Sequence, residues 1–112
     1  MEFLEPWHSI LNVSTRVAAL NQELQRELAE GHPLYGLAVR ATARRQDCDD
    51  VLYSIEDGSG RFAVVHLTWA RTAPERLPWP GTSLYASFDA WQVEGMRPDC
   101  DEFQRDDEGK GT

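Results

Sequence analysis

The sequence contains no apolar run near the ~18 residues needed to cross a bilayer. Its opening, MEFLEPWHSI, has no basic segment and two early acids, so a secretory signal is not expected. Cysteine is scarce. Cys48 and Cys100 form no Cys-x-x-Cys pair, which excludes a disulfide scaffold. Both occupy acidic, loop-like contexts and read as reduced thiols, and the aspartates beside Cys48 disfavour its thiolate. His8, His32 and His66 are too far apart to form an HxH, HxxxH or HxxE unit, so no metal or cofactor is implied. The expectation is a single cytoplasmic domain within a chain of 112 residues. A chain of this size buries roughly 65% of its unfolded surface, enough for one core.

Bases are also in short supply: 11 Lys plus Arg stand against 19 Asp plus Glu, for a formal charge of −8, and Lys110 is the sole lysine. The excess is local. Residues 46–60 hold Asp47, Asp49, Asp50, Glu56 and Asp57 with no base, and a second acidic stretch begins at Asp99. Such a field repels phosphate, so nucleic acid and membrane surface are poor partners, whereas a basic protein would be attracted. The plainer reading of the same charge is solubility.

The pattern predicts an α+β fold. Over residues 11–30, Val17, Leu20, Leu24 and Leu28 recur at helical spacing, while Arg16, Gln22, Glu23, Arg26, Glu27 and Glu30 occupy the other faces. Asn12 or Ser14 would cap this helix, and Gly31 with Pro33 would stop it. The period then becomes two. Runs over 39–44, 51–56 and 62–69 read as a three-stranded antiparallel meander, with Ser83–Ala86 as a possible short fourth edge strand. Matching like faces opposes Ala43 with Tyr53, Ala41 with Ile55, Ile55 with Phe62 and Tyr53 with Val64. It also sets Glu56 opposite both Arg40 and Arg61. In that register Phe62, Val64 and His66 lie under the long helix, and the third strand is apolar on both sides. A Pro- and Gly-containing loop follows over 70–82. Ser87 caps a short helix with Asp89 in its first turn, ending near Gly95 or Met96 before Pro98. The single domain is drawn as 1–103, with 104–112 as a disordered acidic tail.

Little of this composition points to catalysis. The aspartates at 47, 49 and 50 lack the frame of a calcium loop, and Asp57-Gly58-Ser59-Gly60 joins strand to strand without a following lysine. Ser59 is outside any G-x-S-x-G elbow. His66 reads first as a core or rim histidine. Its dyads with Asp50 or Cys48, or an alliance with Glu75, are weak catalytic candidates. Aromatics are the unusual feature, with four tryptophans in all. Pro78-Trp79-Pro80 holds an indole on a stiff backbone. Trp79 either covers the apolar outer face at Val65, Leu67 and Trp69, which is the simpler expectation, or forms an exposed anchor with Trp69 or Tyr85. Trp and Arg are enriched at binding hot spots, so the binding set comprises Trp69, Arg71, Arg76, Trp79 and Tyr85.

Val64-Val65-His66-Leu67-Thr68-Trp69, Glu75, Pro78-Trp79-Pro80-x-Thr82 and Phe88-Asp89-x-Trp91 together look like a family of short bacterial proteins. Gly31-His32-Pro33-Leu34-Tyr35-Gly36 and Asp49-Asp50-Val51-Leu52 share the likeness, which spans roughly residues 5–103. The resemblance implies a bacterial cytoplasmic setting and one compact α+β domain, with His66, Glu75 and the tryptophans as a recurrent unit. It brings no activity with it. The expected function is a non-enzymatic protein-binding module, possible as an immunity-type protein against a basic partner. The alternative is a small hydrolase or ligand-binding enzyme using His66 with a nearby carboxylate. A structural subunit or homodimer is the third reading, and the sequence leaves the oligomeric state open.

Overall fold

The computed structural model describes residues 3–69 and 79–110, with side chains as far as Gln104. The chain runs β1 (Trp7–Ser9), α1 (Ser14–Glu27), β2 (Val39–Arg45), β3 (Asp50–Ile55), β4 (Phe62–His66) and β5 (Gly81–Tyr85). It continues as α2 (Phe88–Trp91), a π-helical turn over Gln92–Met96, and α3 (Arg97–Lys110). The fold is α+β. Five antiparallel strands form one sheet in sequence order β1-β2-β3-β4-β5, two more than the meander foreseen. The short fourth strand is present as β5, and the apolar residues near the amino end supply β1.

Apolar cover on both faces of the sheet overturns the expectation of one core. In the first layer α1 lays Val17, Leu20 and Leu24 over Ala41, Val51, Tyr53, Ile55, Ala63 and Val65. In the second, Trp7, Ala43, Leu52 and Phe62 meet Trp91 and Met96, with Phe3 and Phe88 at the margin. The rings there meet edge-on; Trp7 and Trp91 are 5.2 Å apart at 90°.

Two register devices explain why strict alternation misleads. A bulge between Ala41 and Ala43 adds one residue to β2, so Ala41 faces α1 whereas Ala43 faces Trp91. Thr42, at the bulge, is buried, and its carbonyl accepts the Ile10 N–H at 3.1 Å. Ala41 therefore opposes Tyr53, and Ala43 opposes Leu52. The second device is the 56–61 turn. Asp57 accepts from the Ser59 N–H and the Arg61 guanidinium, and Ile55 N–H reaches Arg61 O. Arg61 thus serves the turn, and Arg40 opposes Ser54, so neither forms the foreseen pairing with Glu56. Ser54 opposes Phe62 and Tyr53 opposes Ala63, one residue from the expected register. A slip of one turns every side chain of a strand to the other face. Phe62 and Val64 consequently leave α1 and join the second layer, while Ala63 and Val65 pack against the helix.

The helix limits shift for local reasons. α1 is shorter than 11–30: its N-cap is Val13, with no side-chain cap bond, so neither Asn12 nor Ser14 has that role. Its C-cap is Leu28 in extended backbone, and Gly31 (φ 97°) serves the turn beyond. The foreseen solvent face of α1 also carries two buried carboxyls, Glu23 and Glu27. At α2, Ser87 accepts the Ala90 N–H at 3.0 Å, as its residue type predicted. Pro98 does not end this helical stretch. The preceding turn is widened, with Arg97 N–H bonded to Gln92 O, and the helix resumes beyond it. Cys100 lies buried in α3, not in a loop, and helical backbone extends through 104–110 where an unstructured tail was expected.

Candidate functional site

The antiparallel order brings two connections, β2–β3 and β4–β5, to one end of the sheet. The β2–β3 turn at 46–49, the residues leaving β4, and those leading into β5 all lie there. Its acidic half is organised by Arg45, whose Nε is 2.7 Å from Asp47, while Nη1 lies 3.4 Å from Asp99 and 4.0 Å from Asp50. Arg44 approaches Asp49 at 3.6 Å, and the Trp7 indole N–H donates to Asp99 at 3.0 Å. Among the described residues these four carboxylates outnumber the two guanidiniums. Cys48 belongs to the same turn. Burial above all, with the nearby Asp50 and Asp47 charges adding to it, pushes its thiol up, opposite to a reactive thiolate.

His66 and Asp50 face each other directly across β3 and β4, and His66 Nδ1 lies 2.7 Å from Asp50 Oδ1. A carboxylate only accepts, so Nδ1 donates, and in the neutral tautomer Nε2 is the acceptor. The histidine side chain is 55% exposed, so it belongs to the rim and not to the core. Of the dyads considered for His66, the one with Asp50 is formed.

Beyond His66 the chain leaves β4 earlier than residue 69. Leu67 inserts into the first layer, and Thr68 and Trp69 lie outside the strand. Trp69 adopts φ 53°, a conformation costly for any residue with a Cβ. It is held by a residue that the sequence reading placed on the polar faces of α1. Glu27 Oε1 accepts from Thr68 N–H at 2.9 Å and Thr68 Oγ1 at 3.0 Å, and Oε2 accepts from Trp69 N–H at 3.1 Å. One turn earlier, Glu23 accepts two bonds from Arg26. Burial, followed by the hydrogen bond with Glu23, holds the Glu27 carboxyl above its ordinary value against those donors. Burial also works to raise Glu23, but bonds from Arg26 and Glu27 prevail and leave it lowered. Burial and then these two acids also raise Tyr53, whose hydroxyl donates to Leu20 O at 2.7 Å. The helical spacing of Glu27 to Leu20 and Leu24 was the available signal, masked by its charge.

His32 provides a second clasp. Its ring is buried, accepts Leu34 N–H at Nδ1 (3.1 Å) and donates from Nε2 to Pro80 O (3.0 Å). The start of β5 is thereby fixed to the turn after α1, and Trp79 stands just outside it.

Trp69 and Trp79 are 45% and 51% exposed, so the covering role foreseen for Trp79 is incomplete. Tyr85, at the far end of β5, is half-buried. Arg71, Glu75 and Arg76 lie outside the described residues. Among the described residues no group of three or more His, Cys, Asp or Glu could hold a metal ion, and no helix is long and apolar enough to cross a membrane. Comparisons with protein-family models, with curated proteins and with solved structures each return no match.

Proposed function

We propose that this chain is a non-enzymatic protein-binding module, immunity-type in the sense that a small acidic protein engages a basic protein partner. The observation that supports it is the meeting, at one end of the sheet, of two half-exposed tryptophans with an acidic turn. Half-exposed indoles supply rigid anchor area, and the surplus carboxylates around Arg45 draw a basic surface toward them. The test is affinity capture from a bacterial lysate with wild type, Trp79→Ala and Asp47→Asn/Asp49→Asn side by side. Wild type should retain a basic protein in a salt-sensitive manner, and both variants should lose it. Identical captures by a correctly folded Trp79→Ala would remove the docking role of this end.

A second reading rests on the 2.7 Å bond between His66 and Asp50, which leaves Nε2 positioned to accept a proton. It makes the chain a small hydrolase or ligand-binding enzyme. Ester and phosphoester hydrolysis lost in His66→Ala would favour it, and activity unaffected by that change would dismiss it.

A further inference from the structure

β5 is the last strand of the sheet, and among the described residues nothing pairs with its outer edge. An open edge offers a row of unpaired N–H and C=O groups, which proteins usually blunt with lysine, proline, a bulge or brevity. The opposite edge follows that habit, because β1 has only three residues. β5 does not follow it. Gly81-Thr82-Ser83-Leu84-Tyr85 carries neither charge nor proline. Ser83 and Leu84 point to opposite faces, and both are exposed.

The two faces beside this edge differ in chemistry. On the α1 side Leu84 is 46% exposed and offers apolar surface. On the other side stands the half-buried Tyr85. Burial first, then the charges of Asp99, Glu94 and Asp50, raise its hydroxyl against a hydrogen bond with Ser83. A strand laid along β5 would place alternate side chains over Leu84 and the others over a tyrosine backed by negative charge. Cationic groups suit the second position, through both the ring face and the carboxylates.

We propose that β5 receives an extended segment of a basic protein as a sixth strand, its Arg or Lys side chains toward Tyr85 and its apolar ones toward Leu84. This rests on the protein-binding reading and gives the partner's form. Main-chain hydrogen bonds supply the affinity, and the alternation supplies selectivity. A second copy of this chain is the less suited occupant, since each copy brings a charge of −8.

The probe is a six-residue capped peptide alternating Arg and Val, compared with the same peptide N-methylated at alternate amides. Calorimetry measures binding, and amide exchange by nuclear magnetic resonance reports on residues 81–85. The plain peptide should bind, the N-methylated one at least about tenfold more weakly, and the outward amides of β5 should become protected. Leu84→Lys, a change at an exposed position, should also weaken binding about tenfold while leaving the fold intact. Equal binding of both peptides, unprotected β5 amides, or no binding of either would overturn strand addition. Binding abolished by Trp79→Ala but indifferent to N-methylation would overturn it while sparing the protein-binding reading. A doubled solution mass that Leu84→Lys returns to a single chain would overturn it in favour of a second copy.

Discussion

Replacing Glu27 tests a buried side chain that ties α1 to the residues leaving β4. Its carboxyl accepts three hydrogen bonds from Thr68 and Trp69. Each such bond is worth about 1 kcal/mol net, and more when its loss strands a donor away from water. Removal in Glu27→Ala also releases a left-handed Trp69 whose backbone carries about 1–2 kcal/mol of strain. The desolvation cost of the acid is relieved at the same time, so the expected loss is roughly 2–4 kcal/mol, a large part of a stability of about 5–15 kcal/mol. Glu27→Gln keeps the oxygen that serves Thr68 and can donate to Glu23, so about 1 kcal/mol should suffice to describe its effect. Urea unfolding with an unchanged m-value is the assay. Values for the two variants within about 0.5 kcal/mol of each other would refute the claim that acceptance by this carboxyl is what matters.

The pH dependence follows from the same pair. Glu27 is raised, so the stability contributed by its neutral form is complete below about 4.5 and is lost as pH climbs through the higher folded value. Glu23 is lowered, so its contribution is present above about 4.5 and is lost as pH falls through the lower folded value. Raising the pH from about 5 to 8 should therefore favour Glu27→Gln relative to wild type, because an amide does not ionise.

Three further substitutions probe other joints. In Gly95→Ala the added Cβ would lie 2.7 Å from Trp91 Cδ1 and 2.9 Å from its Nε1, against a fully buried ring, so chemical denaturation should show a loss of about 1–3 kcal/mol. Ser87→Ala removes the cap of α2 and should cost about 1 kcal/mol, read in the same assay. Trp69→Gly should match or exceed Trp69→Ala in thermal stability, because glycine accepts φ 53° without strain; the reverse order would contradict the backbone description.

Local periodicity carried much of the architecture. Val17, Leu20 and Leu24 marked α1, the two-residue alternation marked β2 and β3, and Ser87 marked α2. The apolar character of β4 on both sides goes with cover on both faces, which the expectation of one core did not foresee, and it made two registers equally plausible to a face-matching rule. What decides between them is the internal bonding of the 56–61 turn and the bulge beside Thr42. Neither has a signature in hydrophobic pattern. The His66–Asp50 pair was accessible from strand adjacency, whereas the exposure of Trp69 and Trp79 runs against the simpler expectation of a covering role. Glu27 was not, because a charged residue on a helix is assigned to water until a specific set of donors is seen to meet it. Helical continuation past Pro98 depends on a widened turn that composition alone does not announce.

The strand at the amino end has an importance beyond its three residues. Trp7 sits among the aromatics on one side of the sheet, and Ile10, just past that strand, sits beneath α1 on the other. The same short stretch is thus a stitch through the fabric, knotted above and below. Cutting it away would slacken the upper and lower halves together, so trimming this end should convert a single sharp melting transition into a broad one.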